Sequence, residues 1–346
     1  MSTQAIPCKL VICTTGDNSL TILDTTVLTK SLDTVPSTSE VAAASTIISG
    51  LGAPTSVTCS RLGNFVAVGC VDSRKVVVVD VEKGKVEVEI DLGDKIRPDA
   101  VAAGPDLKVI AVADSEAEDL LFVTPSSSLY RERRAYGKSP VSLAVLAPEW
   151  DSAGAKKQRA VVVASAATAT VACFDVSTNQ EIWNDGGRAD TAPRAMAFTS
   201  DDRVEFPILA MVYPDRNVVA VLDPADGTFL FEVAVGARPV AVAICRRQSE
   251  VWVVNADDNT VTVVDLVTRS ATRTFPVGAS PAGIVFDYED RWAYVTNSGD
   301  NTLSMILVTR APNVHAVVPV GNRPTGIATA IVPTSKEEEE EAPAFD

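Results

Sequence analysis

The chain has 346 residues, 46% of them hydrophobic, with a formal net charge of -15. That is enough apolar material for a large core, and a net-negative chain repels a phosphate backbone, so no nucleic-acid partner is expected. The most apolar stretch, 160–174, is broken by Ser165, Thr168 and Thr170 and is too short and polar to span a bilayer.

The first residues run straight into a strand-like segment, with no basic region followed by an apolar one. A secretory signal is therefore not expected, and a cytoplasmic protein is. The six cysteines are scattered, without a C-x-x-C pair, which favours buried, reduced thiols over disulfides or metal ligands.

Taken in chain order, the first unit reads as three strands, at about 9–14, 19–23 and 27–32, with the turn Thr15-Gly-Asp-Asn18 between the first two. An insertion follows, 33–52, before Pro54 opens the next apolar strand. From there a proline recurs just ahead of an apolar strand, at Pro54, Pro98, Pro140, Pro193, Pro239, Pro281 and Pro324, with spacings of 44, 42, 53, 46, 42 and 43 residues. Blades of a β-propeller run ~40–45 residues with four strands each. The 53-residue unit carries an insertion at 148–158, rich in Ala, Gly and Lys.

Proline fixes φ and lacks an N–H, so it suits the start of a strand and not the interior of a ladder. Four strands, A to D, follow each proline. In the sixth unit they fall at about 240–245, 250–255, 260–265 and 271–277. Asp/Asn turns separate B from C, since these side chains bond local backbone and tolerate left-handed φ. Strands such as Lys75-Val-Val-Val-Val-Asp80 are apolar on both faces, as a blade stacked between two neighbours requires.

After Pro324 only one strand remains, at about 325–332, while the first unit has strands B, C and D but no A. The last strand is therefore expected to complete the first blade, which leaves no open edge. The expectation is an all-β, seven-bladed propeller of four-stranded antiparallel blades over residues 1–335, closed by its own C-terminal strand. Residues 336–346, with the run Glu337 to Glu341, read as a solvated acidic tail.

Val235-Gly-Ala-Arg-Pro-Val-Ala-Val242 recurs at 277–284 and 320–327, and Val251-Trp-Val-Val-Asn255 returns as Tyr294-Val-Thr-Asn297. These motifs resemble the YVTN-repeat β-propellers, well in units one, six and seven and loosely in two to five. A more distant similarity is to seven-bladed lactonase-type propellers. Neither resemblance implies one function, because propellers host many.

By analogy with propellers, the D-to-A and B-to-C loops share one face. D-to-A loops would bring Arg97, Lys138, Arg188, Arg238 and Arg323 there, with Asp99 and Arg194 just after their prolines. B-to-C loops would bring Asp17, Asp72, Asp114, Asp215, Asp257 and Asp300. One reading is a funnel presenting guanidinium forks to a carboxylate or phosphate. The other is ion pairing and Asx turns repeated because the blade is repeated. The candidate ligand-binding residues are Arg97, Asp99, Arg194, Tyr213, Arg238 and Arg323. Insertion 33–52, a long D-to-A connection, would lie on that face as a lid or docking loop, and 184–192 is a smaller elaboration there.

The single His315 falls in an outer strand, and no dinucleotide or P-loop motif is present. No metal or cofactor is expected. The expected function is a monomeric binding protein that recognises a protein partner or an anionic small molecule. The alternative is a cofactor-independent lyase, isomerase, cyclase or lactonase working in the same funnel by positioning and Arg or Tyr donors.

Overall fold

The computed structural model describes residues 8–331, apart from 30–34, 60–63, 105–106, 108, 116–119, 126, 135–138, 147–159, 177, 179, 188–189 and 200–206. It contains seven four-stranded antiparallel sheets, each in the order A-B-C-D. The A strands start at or within two residues of the marker prolines: Pro54–Cys59, Ala100–Ala103, Pro140–Leu146, Ala195–Thr199, Pro239–Cys245, Pro281–Phe286 and Pro324–Ile331. In most blades a β-bulge follows that proline, as between Pro239 and Ala241. The missing N–H leaves a gap in the ladder, and the bulge absorbs it.

The ring closes as expected. Strand A of blade 1, Pro324–Ile331, pairs antiparallel with strand B, Cys8–Thr14, from Cys8 opposite Ile331 to Thr14 opposite Pro324. Thr15 and Gly16 extend the seam by donating their N–H groups to the carbonyls of Arg323 and Asn322.

Stacking explains the composition. In blades 5, 6 and 7 every residue of strand B is buried, for example Glu250–Asn255. Outer D strands alternate between exposed and covered, as in Lys85–Asp91. Among the described residues the core divides into seven clusters, one per inter-blade seam. All six cysteines are free thiols, and all but the half-buried Cys59 are buried.

The first blade departs from expectation. Its strand D is Ser45–Ser49, not 27–32. Thr25–Leu28 is a helical turn capped by Asp24, whose carboxylate accepts the Thr26 N–H. A second helix, Thr38–Ala43, begins with a capping box between Ser37 and Glu40. Insertion 33–52 thus belongs mainly to the C-to-D connection, on the face opposite the D-to-A loops. It cannot cover the funnel. Instead the two helices of the C-to-D connection bring Leu28 and Val41 into the closing seam, against Trp292, Tyr294 and Leu10. Insertion 148–158 and the acidic tail lie outside the described residues.

Candidate functional site

One face of the ring gathers the D-to-A connections and the B-to-C turns, and hydrogen bonds between them build it. Arg238, Ser280 and Arg323 stand directly before the strand-opening prolines with left-handed φ of 49°, 47° and 50°. Such a conformation is strained for a residue with a Cβ. It is held from outside: the N–H groups of Arg238, Ser280 and Arg323 donate to the side-chain oxygens of Asn217, Asn259 and Asn301 at 2.8, 2.7 and 2.9 Å. Ala53 donates likewise to Asn18 at 2.9 Å.

The aspartates do the complementary job. Asp258 accepts the Ala237 N–H at 2.6 Å, Asp300 that of Ala279 at 3.0 Å, and Asp17 that of Asn322 at 2.6 Å. In each Asp-Asn turn, then, Asp holds the chain arriving from the previous blade and Asn holds the chain leaving for the next. The tight Gly of each Val-Gly-x-x-Pro motif permits this: a Cβ on Gly278 would stand 2.5 Å from the Asn297 side chain. The expected outer acidic ring is accordingly a set of backbone clasps where Asp17 and Asp300 stand. Asp114 does the same, accepting the Arg97 N–H at 2.9 Å. Asp257 differs, pairing with Arg238 at 2.6 Å.

Inside this rim the seven A strands enclose a central channel with a cavity of about 590 Å³. Four of the six predicted site residues line it: Asp99, Arg194, Arg238 and Arg323. Their states differ. Asp99 accepts from the Ser115 N–H and hydroxyl at 3.0 and 2.6 Å, and stands 3.7 Å from Arg97. Arg238 spends its charge on Asp257, in an exposed pair that solvent screens. Arg194 and Arg323 form no ion pair among the described residues. Polar oxygen from Thr55, Ser280, Ser298 and Thr325 surrounds them.

The other two candidates fall elsewhere. Arg97 does not line the channel; its backbone is held by Asp114 and its guanidinium leans toward Asp99. Tyr213 ends strand B of blade 5, Ile208–Tyr213, but its ring lines a separate cleft beside blade 4. The reason is the two-residue alternation of a strand: Met211 and Tyr213 face blade 4 together. Lys138 and Arg188 lie outside the described residues. His315, in the outer strand Val314–Pro319, stacks edge-on against Trp292 at 5.2 Å, away from the channel.

Sequence reasoning missed the clasp role of the Asp-Asn pairs, although the recurring dipeptide was its signal. It also missed the blade 4–5 cleft, whose only trace in the sequence is the short run 181–184 before Asp185-Gly-Gly187.

Neither a family model nor a curated protein sequence matches the chain. Among solved structures, a chain from a crystal structure of a mitotic checkpoint complex superposes with a TM-score of 0.63, covering 78% of each chain at 19% identity. At that identity the likeness shows the fold alone. The chain is a seven-bladed β-propeller. Among its described residues no helix is long and apolar enough to cross a membrane.

Proposed function

We propose that this chain is a binding propeller, of the YVTN-repeat kind, that takes an anionic group at the channel mouth. The group is a carboxylate or phosphate carried by a protein partner or by a small molecule. A monomeric, cytoplasmic protein without nucleic-acid partners accompanies that reading.

One observation carries it. Arg194 and Arg323 come from different blades, line one channel, and make no ion pair among the described residues in a protein of net charge -15. Guanidinium forks left with free donors recognise planar oxyanions. The left-handed backbone of Arg323, fixed by Asn301, sets the point from which its side chain leaves the rim before any ligand arrives. Such pre-organisation lowers the cost of binding. The enzymatic alternative relied on a cover over the funnel, and insertion 33–52 lies on the other face. We therefore place catalysis second.

The test is titration of the full chain with pyrophosphate and citrate, against the double variant Arg194→Glu/Arg323→Glu. Each lost charged contact is worth about 1.5–3 kcal/mol, so the double variant should bind at least tenfold more weakly, with an unchanged melting temperature. Equal affinity of the two proteins would sink the proposal. Lys85→Glu, on the outer strand Lys85–Asp91, should leave affinity unaltered.

A further inference from the structure

Blades 4 and 5 part toward their outer edges. Strand D of blade 4, Glu181–Asn184, has four residues, whereas strand D of blade 5, Phe229–Ala234, has six. The face that blade 5 turns to blade 4 is left partly uncovered, and a cavity of about 390 Å³ opens there. Cavities of ~300–1,000 Å³ are the size of small-molecule sites.

The cleft has two chemically distinct parts. Its wall is apolar, built from Met211, Leu222 and Phe229, with Ala220 leaving room between them. At the base, the Trp183 indole donates to the Pro224 carbonyl at 2.8 Å and covers Gly227, whose Cβ would meet the ring at 2.6 Å. That end is rigid.

The other end is polar and charged. Tyr213 is 3% exposed and lines the cavity, and its hydroxyl makes no hydrogen bond among the described residues. The residue is buried and lines the cleft, so a ligand entering the cleft can supply the partner its hydroxyl lacks within the protein. Beside it stand two carboxylates and one guanidinium. One oxygen of Asp185 is fixed by the N–H groups of Val171 and Gly187 at 2.9 and 3.0 Å. Both oxygens of Glu232 accept from one nitrogen, Nη2, of Arg216, at 2.9 and 3.1 Å, and that guanidinium lies 5.8 Å from the Tyr213 ring centroid. Among the described residues lining the cleft, one negative charge is left over.

We propose that the blade 4–5 cleft is a second binding site, for an ammonium group carried on an apolar body. The phenol oxygen of Tyr213 accepts a hydrogen bond from the ammonium, Asp185 supplies the countercharge, and the body lies along Met211, Leu222 and Phe229. Burial, and next the charge of Asp185, push the Tyr213 phenol above its ordinary range, so it stays neutral and Asp185 is left as the countercharge. The site is independent of the anionic mouth, and none of its residues lines the channel.

The experiment titrates the full chain with 4-phenylbutylamine, with 4-phenylbutanol and 4-phenylbutanoate as neutral and anionic counterparts, followed by protein NMR. Saturable binding of the amine is expected, with the other two at least about tenfold weaker. Tyr213→Phe and Asp185→Asn keep the shape of the cleft, and each should weaken the amine by about tenfold or more while pyrophosphate affinity at the mouth is unchanged. Ala220→Leu should block all three probes. No saturable binding of the amine up to ~10 mM would overturn the proposal, as would equal binding of the carboxylate or the alcohol, or full amine affinity in both Tyr213→Phe and Asp185→Asn.

Discussion

Blades 6, 7 and 1 and blades 3 and 4 obey the same topology but hold their neighbours differently. At the junctions from 5 to 6, 6 to 7 and 7 to 1, an Asn and an Asp from successive turns grip adjacent residues of each connecting segment. From blade 2 to 3 the grip is different: Asp114 holds Arg97, and Asp99 holds Ser115 in return. From blade 4 to 5, Asp185 turns back onto its own blade, to Val171 and Gly187. There the outer strand is shortest and the cleft opens. The seams with the full clasp are closed, and the seam that shows none among its described residues has room for a ligand. Regular junctions serve stability, and the irregular one is where space for chemistry remains.

This contrast can be broken at several strengths. Truncation at residue 323 removes strand A of blade 1 and bares the B strand Cys8–Thr14, whose residues are almost all buried. The truncated chain should lose its cooperative thermal transition by circular dichroism, and a melting curve like that of the full chain would refute the closure as a structural necessity. Alkaline pH weakens both regions alike. Burial pushes Cys8 in blade 1 up to about 11, and Cys70, Cys173 and Cys245, in blades 2, 4 and 6, up to about 12. An exposed thiol ionises near ~8.5, so the folded state holds these protons more tightly than the unfolded one. The resulting stability is complete below pH ~8.5 and is lost as pH rises through 11 to 12. Urea midpoints at pH 7.5 and 10 should show the fall; equal midpoints would contradict the burial of these thiols.

Single substitutions probe the two regions separately. Trp252, fully buried between Phe275 and Phe286, should cost about 3–5 kcal/mol on replacement by Ala. Trp183→Ala should cost less, because Trp183 packs beside a seam that already holds open space. An equal loss would mean that the cleft is as tightly supported as blades 6 and 7. The smallest effect belongs to the clasp. Asn301→Ala leaves the Arg323 N–H without its acceptor and should cost about 1–2 kcal/mol by chemical denaturation. It should also weaken anion binding at the mouth, since Arg323 loses its fixed backbone. Unchanged anion affinity would separate the clasp from the site.

What was readable in the sequence is what is local. A proline before each A strand, and an Asp-Asn turn between B and C, are signals within a few residues, and they located the blades and the closure. The first helix pair shows a limit of the same kind. Its 27–32 segment is apolar enough to pass for a strand, whereas the stronger signal, Ser37 with Glu40 ahead of Val41-Ala-Ala, marks a helix start. The site was readable only in part, because it depends on contacts between blades. That Arg238 would spend its charge on Asp257, leaving Arg194 and Arg323 available, is decided by side-chain placement at the rim. Strand alternation turns Tyr213 toward blade 4, and the open cleft it meets there is decided by the length of its neighbour's outer strand.

The seam between strands A and B of blade 1 has a further consequence. The connection leading into it carries the same Asn and Asp clasps as the junctions from 5 to 6 and from 6 to 7, and here the Asp, Asp17, comes from the far side of the break between strands A and B. Cys8 and Ile331 face each other across the ladder. The ring therefore does not distinguish its own opening from its other joints, and the order in which blades are encoded is separable from the order in which they stand. A chain rejoined across 8 and 331, and opened instead in the A-to-B turn of blade 6 at 246–249, describes the same closed circle.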